Sequence, residues 1–223
     1  MSGFRRNLLA TYSSQIYVAL AGIVIVPLYI RYMGSEAYGL VGFYAMLQAW
    51  FQMLDLGLSP TLSRQTARFS GGALDALTLR RMLRVLEGLF ATVALAGAAA
   101  LALGADWVAT RWLQAQALPP EQIRLAVEMM AGIVGLRWVA GLYRSAIGGF
   151  EQQAWLGALN AGAATARFVV VLLIFEWVGS TPAHFFGWQL IVAAVETVLL
   201  MRKTYQLLPP RAPNGLMPCA QSP

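Results

Sequence analysis

The run from Tyr38 to Leu58 is long and apolar enough to cross a bilayer, yet it closes on Asp55-Leu-Gly-Leu58, a carboxylate where hydrocarbon offers no partner. Crossing a bilayer takes about 20 mostly apolar residues. Five other runs have this character: Leu8–Ile30, Val85–Ala105, Arg124–Ala146, Trp155–Val178 and His184–Met201. The fourth in chain order, Arg124–Ala146, is interrupted by Glu128 and Arg137. Charged residues make up 12% of the chain, half the roughly 25% of a soluble domain, which places it in a membrane. The expected fold class is an all-α membrane protein with six transmembrane helices over residues 1–206. The tail Leu207–Pro223, which holds five of the ten prolines, is expected to be disordered.

The first run follows a basic start at Arg5 and Arg6. From Asn7 to Ile30 it carries no charge, far beyond the roughly 7–15 residues of a signal-peptide core, so it is expected to stay as the first span with Pro27 near its end. Basic residues then set the orientation. Arg5, Arg6, Arg64, Arg68, Arg80, Arg81, Arg84, Arg144, Arg202, Lys203 and Arg211 fall on one side of six spans, and only Arg31, Arg111 and Arg124 on the other. Both termini are therefore expected in the cytoplasm. The same distribution accounts for the +6 charge without invoking nucleic acid. Arg64–Arg84 is expected to be a basic cytoplasmic loop, broken at Gly71-Gly72 and lying on anionic lipid. On the opposite side Trp107 and Trp112 suit the membrane interface, and Pro119-Pro120-Glu121 signals a helix start.

Few kinds of chemistry are open to this chain. Cys219 is the single cysteine and His184 the single histidine, so no disulfide or metal centre is expected, and no cofactor. There is no paired carboxylate, no nucleophile with a base and no phosphate-cradling glycine loop, so nothing argues for an enzyme.

Helical spacing gathers the polar residues of the spans into stripes. Gln48, Gln52, Asp55 and Ser59 share one face of the second run, Arg137, Gly141, Arg144 and Gly148 one face of the fourth, and Gly157, Asn160, Ala164 and Arg167 one face of the fifth. The first adds Asn7, Thr11 and Ser14. Four such faces would enclose a hydrated interior, open to the cytoplasm where Asp55 and Arg144 lie. Part of the pattern has a plainer reading. Small residues four apart (Gly141 with Ser145, Gly157 with Ala161, Ala158 with Gly162) are ordinary packing surfaces, and Gln48, Gln52 and Asn160 serve equally as interhelical hydrogen bonds. Asp55 and Arg144 lie close enough to a helix end to snorkel. Arg137 and Arg167 resist that reading, because a guanidinium within a span needs an anion or water. Glu176 and Glu196, nearer span ends, read as counterions, and His184 as interfacial.

These residues also carry a resemblance. Asn7 with the polar first run, Pro27-Leu-Tyr-Ile-Arg31, Met33-Gly-Ser-Glu-Ala-Tyr-Gly39 and Leu54-Asp-Leu-Gly-Leu58 followed by Arg64 and Arg68 resemble the N-terminal part of the polysaccharide transport proteins. These are the O-antigen and teichoic-acid type flippases of the multidrug/oligosaccharidyl-lipid/polysaccharide exporter superfamily. Tyr143-Arg-Ser-Ala-Ile-Gly-Gly-Phe-Glu-Gln152, leading to Asn160, is similar to the family's connection between helices four and five. The resemblance covers about residues 5–203.

It implies a flippase of the inner membrane, moving an undecaprenyl-diphosphate-linked oligosaccharide between leaflets by alternating access. Arg137 and Arg167, with Asn160, Gln48 and Gln52, would then line a substrate cavity, the arginines neutralising a diphosphate or sugar acid. Asp55 with Arg64, Arg68 and Arg144 would form a cytoplasmic gate. Family members have two six-helix lobes, whereas this chain has one, so a second half or a homodimer is expected, or else a fragment of a longer transporter. Two other readings stay open: a membrane scaffold of glycan assembly that does not transport, and one lobe of a cation-coupled drug exporter. Arginines outnumber carboxylates within the spans, which weighs against the exporter.

Overall fold

The computed structural model describes residues 2–112 and 118–208, with side chains from Tyr12 onward except those of Ser14 and Trp112. Asn7, Thr11 and the Ser14 side chain, Trp112 at the interface and the tail beyond Leu208 therefore lie outside what is described. Among the described residues the chain is all helix: α1 (Ser2–Met33), α2 (Ser35–Met53), α3 (Leu58–Ser70), α4 (Ala76–Leu103), α5 (Ala105–Trp107), α6 (Pro120–Gly149), α7 (Gln153–Thr165), α8 (Val171–Trp177) and α9 (Pro182–Leu207). Two π-helical turns, Val108–Trp112 and Ala166–Val170, follow α5 and join α7 to α8.

Five helices are long and apolar enough to cross a membrane: Gln15–Met33 of α1, α4, α6, the continuous stretch Gln153–Trp177, and α9. The second run behaves differently from expectation. Its helix, α2, stops at Met53 instead of running to Leu58, because the backbone turns left-handed at Leu56 (φ 47°) and Gly57 (φ 84°). Glycine tolerates that conformation, and no side chain is needed there. The expected loop from Arg64 to Arg84 is also corrected. It is a helix, α3, then a short break at Gly71 and Gly72, then the first turns of α4. Asp75 starts α4 by accepting hydrogen bonds from the N–H groups of Leu77 (3.1 Å) and Thr78 (3.3 Å), a capping arrangement that satisfies two otherwise orphaned donors.

The fourth run is one helix in spite of its charges: α6 contains both Glu128 and Arg137 and is opened by Pro120 in its first turn. Glu128 pairs with Arg124 at 3.0 Å near the exposed start of α6, and Asp106 approaches Arg124 at 3.5 Å, so the Glu128 charge is paired. His184 belongs to the cap of α9, its Nδ1 2.9 Å from the Thr181 hydroxyl. The helix continues past Met201 to Leu207, and Leu208 is buried in the core.

α6 is the central helix. It packs along α9, α4 and α3, while α1 packs along α7. Apolar residues on the outer faces, Ile16, Leu20, Ile23 and Val24 of α1 and Val85 and Leu95 of α4, are exposed, as lipid-facing residues must be. Inside, Tyr29, Tyr44, Phe175, Phe185 and Phe186 form an aromatic core between α1, α2, α8 and α9. Phe90 stacks on Trp138 with ring centroids 4.7 Å apart, fixing α4 to α6. Between these two clusters the helices leave a polar interior.

Candidate functional site

The interior is a cavity of about 420 Å³. The α6 stripe supplies Arg137, Gly141 and Arg144 to its wall, and Arg167 and Glu196 close it from the other side. The second-run stripe also arrives together, with Gln48, Gln52, Asp55 and Ser59 in the lining although the helix that should carry them is broken. The break itself explains this. The Asp55 carboxylate accepts from the Ser59 N–H (3.2 Å) and hydroxyl (2.7 Å), so it folds back onto the start of α3, where a negative charge also suits the helix dipole.

The charges at the centre are connected. Glu196, with a side chain only 4% exposed, gives one oxygen to Arg144 and the other to Arg167, the latter at 2.8 Å. Arg144 also donates to Asn160 of α7. Among the described residues Arg137 hydrogen-bonds to amides: Nη1 donates to Gln48 at 3.1 Å and Nη2 to Gln189 at 3.5 Å, and its guanidinium sits 5.5 Å from the Tyr44 ring centroid. Its Nε, like that of Arg167, is buried without a hydrogen-bond partner among the described residues. Three guanidiniums and a single shared glutamate therefore meet between α2, α6, α7 and α9.

Arg167 stands in the π-helical turn Ala166–Val170. The turn releases carbonyls from the helical ladder, and neighbouring helices satisfy them. Trp188 Nε1 donates to the Ala166 carbonyl (2.8 Å), while the Tyr29 hydroxyl (3.1 Å) and Gln189 Nε2 (3.4 Å) donate to that of Arg167. The arginine is thus anchored through its own backbone.

Two smaller cavities lie on the α1 side of the cluster. One, of about 360 Å³, is lined by Gln15, Asn160, Arg144 and Arg167; the other, of about 240 Å³, by Gln15, Asn160, Arg144, Gln153 and the glycines Gly148 and Gly157. Arg144 and Asn160 thus form a partition between compartments.

Of the residues singled out in the sequence, Arg137, Arg144, Arg167, Gln48, Gln52 and Asp55 line the large cavity, and Asn160 lines both small ones. Arg64 and Arg68 do not join them. Both are exposed on α3, and Arg68 donates to Gln65 at 3.3 Å. Gly141, read as a packing glycine, faces open space instead, since a Cβ there would meet nothing within 4 Å. Tyr44 and Gln189 were missed. Both carried a signal: Tyr44 lies one turn before Gln48, and Gln189 lies two turns before Glu196, so each shares a stripe with a residue of the site. Among the described residues no group of side chains could hold a metal ion.

What the fold and the site define is an all-helical, multi-pass membrane protein with a cationic interior. The chain belongs to the polysaccharide biosynthesis protein family, whose model matches residues 4–205. No curated protein and no solved structure matches it.

Proposed function

We propose that this chain is one six-helix lobe of an inner-membrane flippase, without enzymatic chemistry of its own. It would translocate an undecaprenyl-diphosphate-linked oligosaccharide by alternating access, rocking against a second six-helix half or a second copy. α2 is the sixth span in this reading, with Leu40, Phe43, Tyr44 and Leu47 buried against its neighbours, and both termini lie in the cytoplasm. The observation that carries the reading is Arg137, a guanidinium inside a membrane helix whose described side-chain hydrogen-bond partners are two amides and no carboxylate. A cation held in that way suits a phosphate or sugar acid, and membrane-embedded ionisable residues generally mark a substrate path.

The test is flipping of a fluorescent undecaprenyl-diphosphate oligosaccharide in proteoliposomes. A charge-assisted hydrogen bond is worth about 1.5–3 kcal/mol, so Arg137→Gln should slow flipping about ten- to hundredfold. Full activity in that variant would remove the cavity from the mechanism. One observation favours a second reading, a non-transporting scaffold of glycan assembly: each arginine of the cluster already has side-chain partners, as interhelical glue would. In that case Arg137→Gln would lower thermal stability, and the wild type would flip nothing.

A further inference from the structure

Glu196 is the most enclosed charge of the cluster, and both of its oxygens are taken by arginines from different helical segments. Neither guanidinium is exhausted by this. An arginine offers five N–H donors; the side-chain bonds of Arg144 use Nη1 and Nη2, and those of Arg167 use Nη2 while its Nε stays buried and unpaired. Both arginines also face the smaller cavity on the α1 side. An anion arriving in this interior therefore meets one cation, Arg137, whose partners among the described residues include no carboxylate, and two whose charge is half-cancelled by a carboxylate of the chain itself.

We infer that Glu196 is an internal competitor for the transported anion. It occupies Arg144 and Arg167 in place of a substrate phosphate and keeps the cavity's affinity low enough for release. The inference rests on the flippase reading above, and it makes Glu196 an affinity-setting residue of that site. A conducting site must bind well enough to load and weakly enough to unload. Without Glu196 the three guanidiniums would share the lining with one carboxylate, Asp55, which is held by Ser59, and would fail the second requirement, because Coulombic attraction strengthens wherever water is excluded. The shared geometry serves that purpose: a single carboxylate tempers two cations at once and leaves the third to make first contact.

The sign of the effect separates this role from a structural one. Glu196→Gln removes one negative charge from the lining, deletes no arginine donor and keeps an oxygen for one guanidinium. Binding of geranyl diphosphate to the full chain, in nanodiscs of phosphatidylcholine, should tighten about tenfold or more in Glu196→Gln. Arg137→Gln should lose binding. If the main effect of replacing Glu196 were to loosen the helices that carry Arg144 and Arg167, binding would weaken. Unchanged or weaker binding in Glu196→Gln, with the wild type binding normally, overturns the inference and leaves the anion cavity standing. No binding by either protein overturns the anion cavity and the inference with it. Should Glu196→Gln fail to give monodisperse protein, Glu196→Asp carries the test. Its carboxylate withdraws by one methylene from both arginines, so affinity should rise a few fold, and unchanged or weaker binding overturns the inference.

Discussion

Arg167 and Glu196 meet at 2.8 Å with side chains 18% and 4% exposed, and the other oxygen of the same carboxylate belongs to Arg144. The triad is therefore lopsided. Removing Glu196 takes the carboxylate from both Arg144 and Arg167, whereas removing Arg144 leaves the inner pair whole. Glu196→Ala is expected to cost about 3–5 kcal/mol, the usual loss when one partner of a buried pair disappears. Arg144→Ala is expected to cost about 1–2 kcal/mol, because its side chain is 35% exposed and Glu196 keeps a partner. Thermal unfolding in detergent measures both, and equal losses would show that Glu196 is not the hub.

The Asp55 carboxylate and Ser59 tie the break after α2 to the start of α3. Asp55→Ala should destabilise the protein by about 0.5–2 kcal/mol, the range for a lost helix-start acceptor, while Asp55→Asn should lose only part of that. Gly57→Ala should cost more than about 1 kcal/mol, since alanine resists a φ of 84°. Unfolding midpoints of the three variants decide this. Loss of flipping in Asp55→Asn at wild-type stability would show that Asp55 does more than shape the hinge.

How much of this was legible in the sequence depends on which force sets each feature. Five of the apolar runs read directly as helices, because length and hydrophobicity alone decide whether a segment suits a bilayer. The stripes of α6 and α7 were legible for a similar reason, since 3.6-residue spacing places Arg137 with Arg144 and Asn160 with Ala164. The break after Met53 was not. It turns on positive φ at Leu56 and Gly57, and a lone glycine inside an apolar run is common. The π-helical turn under Arg167 had no local signal either, because its stabilising donors, Trp188, Tyr29 and Gln189, come from other helices. The gate role of Arg64 and Arg68 came from the resemblance alone, and α3 leaves both exposed and outside the cavity lining.

Gly149 has the least room of the described glycines for a side chain. A Cβ at this position would collide with the Thr66 hydroxyl and the Ser63 carbonyl, so α3 rests directly on the end of α6. Since one of the obstacles is backbone, the neighbour cannot simply rotate away. Gly149→Ala should therefore destabilise the protein by about 1–3 kcal/mol, the cost of overpacking. Gly141→Ala on the same helix should be nearly neutral for stability, because nothing lies within 4 Å of its Cβ. A thermal shift for Gly149→Ala no larger than that for Gly141→Ala would contradict the close packing of α3 on α6.

The proposed topology makes a prediction independent of the cavity. If α2 is a span, Ser35 at its start and Ser70 at the end of α3 lie on opposite sides of the membrane, Ser35 outside and Ser70 with the basic residues inside. Both are exposed and neither takes part in the charged cluster, so a cysteine at either position is accessible without disturbing the site. In a Cys219→Ser background, Ser35→Cys should react with a membrane-impermeant maleimide on cells whose inner membrane is intact, and Ser70→Cys only after that membrane is opened. Labelling of both on intact cells, or of neither, would mean that α2 does not cross. α1 and α4 would then be joined on one face, five helices would span, and α2 with Gln48 and Gln52 would cap the arginine cluster without forming a wall of a membrane-spanning path.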